Sequence, residues 1–225
     1  MKNIKKINFN GPVFDALICL YGKLPPKDIF DDFKECTILA ADGAGIKLLE
    51  KGIMPDYVIG DLDSFFGNPL SQEVESSRII KITDQETNDF EKNLLFAKEN
   101  NFKNILILGF HGGELEHSLN NWSVFMRYSK DMGLCIYDEG RYGIPVRESI
   151  IFESRDNELI SIIPQTYAKI KSNDLQWILN DETLKLGDRE GARNVAVKDK
   201  VRIDLSEGEY LLFIDARLPY APALE

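Results

Sequence analysis

The feature that most constrains this chain is a change of rhythm near Gly140. Before it, short apolar runs alternate with helical patterns, and after it the helical patterns vanish. ALICLYG (16–22), TILAADG (37–43), YVIGD (57–61), RIIKI (78–82), NILILGF (104–110) and GLCIYD (133–138) read as strands. Between them KDIFDDFKE (27–35), AGIKLLEKG (44–52), 89–101 and 115–130 read as helices, and SQEVESS (71–77) as a weak one. The 89–101 segment places Phe90, Leu94 and Ala97 at helical spacing, and 115–130 repeats Leu115, Leu119, Trp122 and Met126 on one face. Such alternation implies a parallel sheet covered by helices. Beyond Arg141 the segments VRESIIFES, ELISIIPQ, AKIKSN, LQWIL, ETLKLG, NVAVK, VRIDL and YLLFID are short and β-rich, as in an antiparallel sandwich or barrel. The expected domains are 1–140 and 141–225, with RYGIPVR as the hinge.

With 44% hydrophobic residues the chain can bury a real core, and its formal charge of -10 argues against nucleic acid as a partner. Nucleotides stay open, because a bound cation supplies positive charge locally. No apolar run approaches the ~20 residues that span a bilayer, and MKNIKKINFN lacks the apolar core of a signal peptide. Cys19, Cys36 and Cys135 form no close pair and read as buried thiols in a reducing compartment. A cytoplasmic location without membrane attachment is expected.

Ligands of open parallel sheets bind at the carboxyl ends of strands. Four such ends carry chemistry. YVIGDLDS ends a strand in Asp61 and Asp63, two carboxylates that would meet one hard cation if the chain bends; it also reads as a solvated acidic turn. KITDQETNDFEKNL starts a helix at Asp89, either a third ligand or a first-turn carboxylate favoured by the helix dipole. Lys92 follows on the same face, to reach a phosphate or to make a surface ion pair. LGFHGGELEH offers Gly112 and Gly113 before a helix, a phosphate cradle or a plain turn, with His111 and His117 as polar edge residues rather than zinc ligands. AADGAGIKLL places Asp42 and Gly43 at a fourth end, where Asp42 could bind metal or ribose or cap the helix.

Taken in order, these blocks resemble the thiamin pyrophosphokinase family. ADGAGIKLLEKGIMPDYVIGDLDS, DQETNDFEKNL, GFHGGELEHSLNN, SIIPQTYAKIKSNDLQWIL and GARNVAVKDKVRIDLSEGEYLLFI each parallel a family block, and together they cover most of the chain. The resemblance implies a Rossmann-like, three-layer α/β/α nucleotide-binding domain followed by an all-β sandwich that binds thiamin. It implies a homodimer with thiamin between subunits and Mg²⁺-dependent transfer of a diphosphoryl group from ATP to thiamin, releasing AMP. By position, Asp61, Asp63 and Asp89 would hold Mg²⁺, with Lys92 beside them. Asp42, Gly43, Gln85, Gly112 and Gly113 would surround ATP, and Trp177 and Asn194 would line the thiamin pocket. Trp177 also reads as core packing. Asp61 is the choice for accepting the hydroxyl proton.

The chain departs from the family where it has Glu114 in place of Arg, Glu116 in place of Asp, and Arg193 in place of Ser. A carboxylate beside a polyphosphate repels it, so Glu114 is expected either to point away or to pair with a cation such as Lys92 or Arg141. These departures keep alive a non-catalytic thiamin or nucleotide sensor of the same fold. VIGDLDS alone also fits a haloacid-dehalogenase-type phosphatase, which would leave the DQETND and GARN blocks unexplained.

Overall fold

A computed structural model describes residues 4–225. In chain order it contains β1 (Lys5–Asn8), β2 (Ala16–Cys19), α1 (Lys27–Phe30), β3 (Thr37–Ala41), α2 (Ala44–Glu50), β4 (Tyr57–Gly60), α3 (Asp63–Phe66), β5 (Ile79–Lys81), α4 (Asp89–Glu99), β6 (Asn104–Leu108), α5 (Leu115–Tyr128) and β7 (Gly133–Asp138). There follow β8 (Arg141–Val146), β9 (Ile150–Glu153), β10 (Leu159–Asn173), β11 (Glu182–Lys185), β12 (Gly191–Val195), β13 (Lys200–Asp215) and β14 (Ala223–Leu224). The chain divides into two compact units: Val13–Glu139, and Gly140–Glu225 together with the described residues up to Pro12. The expected 1–140 segment therefore cedes its beginning to the other unit, because β1 pairs with β9 and β14.

In the Val13–Glu139 unit every strand pairing is parallel, in the order β5-β4-β3-β2-β6-β7. β2 is buried along its whole length, and Ile105 to Leu108 of β6 are fully buried, as the central strands of a sheet covered on both faces must be. The α4 residues Phe90, Leu94 and Ala97 are buried as their spacing predicts. Phe110, just after β6, meets Phe90, Trp122 and Phe125 edge-on at ring separations of 6.4, 6.1 and 5.9 Å. That cluster packs α4 and α5 together around the residue that follows β6. The buried face of α5 is not the expected stripe: Val124 and Phe125 are buried, whereas Leu115 and Leu119 are exposed. SQEVESS forms 3-10 turns, at Pro69–Glu73 and Ser76–Arg78, rather than a helix.

In the second unit β13 pairs antiparallel with β8, β9 and β10, and β10 also takes β11 and β12. RYGIPVR, expected as the hinge, begins just after the boundary of the two units, and its first six residues form β8, with Tyr142, Gly143 and Ile144 buried. The expected breaks within β10 and β13 are bulges. Thr166 and Gly208 adopt φ of 64° and 80°, and the pairing shifts register between Gln165 and Ala168. A Cβ on Gly208 would lie 2.1 Å from the Tyr167 carbonyl oxygen, so the close approach requires glycine. LQWIL is not a strand but part of the loop between β10 and β11, with Leu175 and Leu179 buried and Gln176, Trp177 and Ile178 exposed. No helix among the described residues is long and apolar enough to cross a membrane.

Candidate active site

Asp42 follows β3 at φ 43°, a left-handed turn that brings its buried carboxylate back over the sheet edge. Its Oδ1 accepts a hydrogen bond from Phe65 N at 3.1 Å, so it braces α3 rather than capping α2, whose first residue is preceded by Gly43. Asp61 follows Gly60 at the end of β4, and Asp89 opens α4. Carboxylate oxygens of Asp42, Asp61 and Asp89 lie within 4.8 Å of one another. Gly60 makes the grouping possible: a Cβ there would lie 2.9 Å from Asp42 Cβ and 3.0 Å from Asp89 Oδ1.

Asp63 does not join this group. Leu62 is fully buried at φ 67°, and that bend turns the chain between the two aspartates. Asp63 then starts α3, and its Oδ1 accepts from Ser64 N at 2.5 Å and from Ser64 Oγ at 3.2 Å. The carboxylates that group are thus Asp42, Asp61 and Asp89, and Asp63 lines the same cleft outside that group.

Lys92 is almost fully buried one helical turn after Asp89, with Nζ 3.0 Å from Asp89 Oδ1. Burial raises the Asp89 pKa, the Lys92 hydrogen bond and charge oppose that rise, and the Asp42 and Asp61 charges add to it. Asn88 caps α4 by accepting from Glu91 N at 2.8 Å and donates to Asn121 Oδ1 of α5 at 3.2 Å. Further along the same pair of helices, Glu91 accepts from Arg127 at 3.1 Å and from the Tyr128 hydroxyl at 2.7 Å. The two helices are therefore clasped at two levels beside the carboxylates.

These groups open into a cleft of about 790 Å³. Gly43, Asp63, Gln85 and Lys92 line it with the three clustered aspartates, and Glu116, His117, Asn120 and Asn121 contribute from α5. Gly112 and Gly113 are not among its lining residues; Gly112 instead packs against Lys23. Nor does Glu114 line it. Glu114 is exposed and lies 3.2 Å from His117 Nε2, so its partner is neither Lys92 nor Arg141. Arg141 is committed in the second unit to the Leu159 and Phe213 carbonyls, both at 2.8 Å. Tyr21, Asn120 and Asn121 also line the cleft and were not expected there. The strand segment ALICLYG, which contains Tyr21, and the block GFHGGELEHSLNN, which ends in the two asparagines, were the available signals.

In the second unit Asn194 is buried and grips the backbone of Trp177. Its Oδ1 accepts from Trp177 N at 3.0 Å, and its Nδ2 donates to Trp177 O at 2.6 Å. Trp177 is 58% exposed, which rules out the core-packing role. Arg193 sits at φ 59°, with its backbone N–H on Ser161 Oγ.

Comparison with known proteins gives a consistent result. Residues 33–136 match the family model described as thiamin pyrophosphokinase, catalytic domain. A thiamine pyrophosphokinase 1 from Arabidopsis thaliana is 24% identical over 172 residues, covering 67% of this chain and 61% of the relative. One from Oryza sativa subsp. japonica is 26% identical over 195 residues, covering 78% and 70%. The chain thus spans about three fifths to seven tenths of the length of these curated relatives. Among solved structures, thiamine pyrophosphokinase from Bacillus subtilis aligns with a TM-score of 0.75 at 18% identity, covering 90% of this chain and 100% of that one. Yeast thiamin pyrophosphokinase aligns at 0.78 and 17%, covering 96% and 92%. Residues 33–136, which hold the clustered aspartates and most of the cleft, match the catalytic domain of the thiamin pyrophosphokinases, and the fold of nearly the whole chain is one those enzymes share.

Proposed function

We propose that the protein is a thiamin diphosphokinase that converts ATP and thiamin to AMP and thiamin diphosphate with Mg²⁺. One observation carries the reading: the grouping of Asp42, Asp61 and Asp89 within 4.8 Å lies inside the segment matched to the catalytic domain. The donors fit the ion, since Mg²⁺ prefers hard oxygen ligands and takes one or two carboxylates together with phosphates and water. Asp42, Asp61 and Asp89 would hold it, with Asp63 at the rim. When bound, it would offset the charge of the polyphosphate.

The residues around it then position rather than react. Lys92 sets a positive charge behind Asp89, and Gly43 and Gln85 border the nucleotide. The thiamin hydroxyl oxygen bonds to the β-phosphorus as the bond from that phosphorus to the α,β-bridging oxygen breaks. AMP leaves with the bridging oxygen, and Asp61 takes the hydroxyl proton. Trp177 and Asn194 belong to the thiamin pocket of a homodimer in this reading, which the outward-facing indole supports. A Rossmann-like α/β/α unit and a β-sandwich, and a cytoplasmic location consistent with three free cysteines, complete it.

Incubation with ATP, Mg²⁺ and thiamin tests the proposal, with AMP and thiamin diphosphate appearing in equal amounts. Binding of both substrates without AMP would favour the second reading, a sensor of the same fold. Glu114 and Arg193, which stand where the family has Arg and Ser, motivate that reading.

A further inference from the structure

Tyr21 is an exposed aromatic ring on the cleft wall, at 60% exposure, on the loop that leaves β2. An exposed tyrosine on a loop is ordinarily free to rotate, but this one is held. The Lys47 ammonium lies over the ring, 3.9 Å from its centroid. The same ammonium donates to the Tyr21 carbonyl and, at 3.1 Å, to the Gly22 carbonyl. The ring also rests on Gly43, where a Cβ would come within 3.0 Å of Cε2 and 3.1 Å of Cδ2. Gly43 in turn follows Asp42 of the carboxylate cluster. The loop beneath is fixed as well: Gly22 N donates to Gly109 O at 3.0 Å, and Lys23 N to His111 O at 2.6 Å.

We propose that Tyr21, propped by Lys47, is the platform on which the base of the nucleoside triphosphate stacks, and that it makes the site discriminate a nucleotide from bare polyphosphate. This rests on the reading of the cleft as a nucleotide site. The neighbouring carboxylates, with their metal, recognise only the phosphates, which every triphosphate shares. A flat, pre-positioned ring is the feature of the cleft that recognises a flat base by its π-face. The charge on Lys47 narrows the choice of flat ligand, and the KM for thiamin separates the nucleotide base from the neutral aminopyrimidine of thiamin. An ammonium already occupying the attraction of the ring quadrupole makes the ring a poor seat for a second cation. The positively charged thiazolium of the acceptor is therefore disfavoured there and a neutral base favoured. Lys47 acts through Tyr21 and is a positioning residue.

Calorimetric titration of the intact protein with ATP and with inorganic triphosphate, both with Mg²⁺, tests this. Tyr21→Ala should weaken ATP about tenfold and leave triphosphate within about twofold. Tyr21→Phe should keep the wild-type ratio of the two affinities. Lys47→Met should lower that ratio even where its melting temperature matches wild type, which a merely structural lysine would not do. Equal losses for ATP and triphosphate, no loss at all, or a raised KM for thiamin alone in Tyr21→Ala would overturn the proposal. If that last result came with normal turnover in the wild type, the platform alone would fail and the thiamin diphosphokinase reading would stand. A ring-dependent ATP ratio in a wild type that makes no thiamin diphosphate would support the platform and sink that reading. Wild-type protein that binds neither compound would overturn both.

Discussion

The Asp89 carboxylate lies directly against Gly60, so close that a single methyl group on that glycine would stand 3.0 Å from Asp89 Oδ1. The same methyl would press on Asp42 Cβ at 2.9 Å. Two of the three clustered aspartates thus owe their approach to a residue with no side chain. Gly60→Ala should cost about 1–3 kcal/mol in stability, the usual penalty of overpacking. It should also raise the Mg²⁺ concentration for half-maximal turnover at least several-fold. Melting curves and a Mg²⁺ titration of activity check the two effects separately.

Asp42→Asn and Asp63→Asn should separate the observed cluster from the DxD motif. Asparagine keeps the oxygen that accepts from Phe65 N, so Asp42→Asn should fold normally while losing Mg²⁺ affinity and most turnover. Asp63→Asn, outside the cluster, should lose less affinity for the metal. Isothermal titration with Mg²⁺ would reject the cluster as the metal site if the ranking came out reversed.

Lys92 is the counterion of Asp89, at 3.0 Å and nearly out of solvent. Removing one member of a buried pair leaves its partner uncompensated. Asp89 keeps part of its surface in solvent, so Lys92→Met should destabilise the metal-free protein by about 1–3 kcal/mol. Millimolar Mg²⁺ should restore more stability to this variant than to wild type, because the cation replaces the lost charge. An identical Mg²⁺ increment in the melting temperatures of both proteins would place the metal elsewhere.

Glu114 faces His117 rather than the cleft floor, at 3.2 Å and in solvent. Glu114→Arg should leave stability within about 0.5 kcal/mol, as surface changes do. Turnover should stay unchanged or rise. A loss of more than tenfold in kcat/KM for ATP would show that the carboxylate has a place in the reaction after all.

Glu91 ties α4 to α5 through Arg127 and Tyr128. Glu91→Ala should cost about 2–3 kcal/mol by leaving those partners unpaired, more than the surface change Glu99→Ala. Denaturant unfolding of the two variants side by side measures the difference.

The parallel sheet was legible because buried strands such as ALIC and NILIL are apolar without interruption, and no other local structure accounts for their length and spacing. The helical stripe on α5 misled for a physical reason. Leucines at 115 and 119 share a face with Trp122, but the face a helix buries depends on what lies under it, and Phe110 pulls Phe125 and Trp122 inward. Bulges at Thr166 and Gly208 looked like turns because a residue at positive φ serves both purposes, and only the partner strand tells them apart. The identity of the third clustered carboxylate was hidden in two backbone conformations, those of Asp42 and Leu62. Aspartate visits the left-handed region more readily than most residues, but leucine does not announce such a turn. The order of the motif blocks was the most informative signal in the chain, since the structure and its relatives agree with it over 33–136.

The grip of Asn194 on Trp177 changes the economics of whatever meets that indole. Both the amide and the carbonyl of Trp177 are tied to one buried side chain, so the loop is ordered before any encounter. A large apolar surface that is already immobile loses only its side-chain rotamers on association, a cost of about 0.5–1.5 kcal/mol. The ordering of the backbone has been met by folding. Recognition at this loop is therefore closer to the insertion of a rigid tooth than to the closing of a flap, and its rate should depend on collision and fit rather than on loop motion.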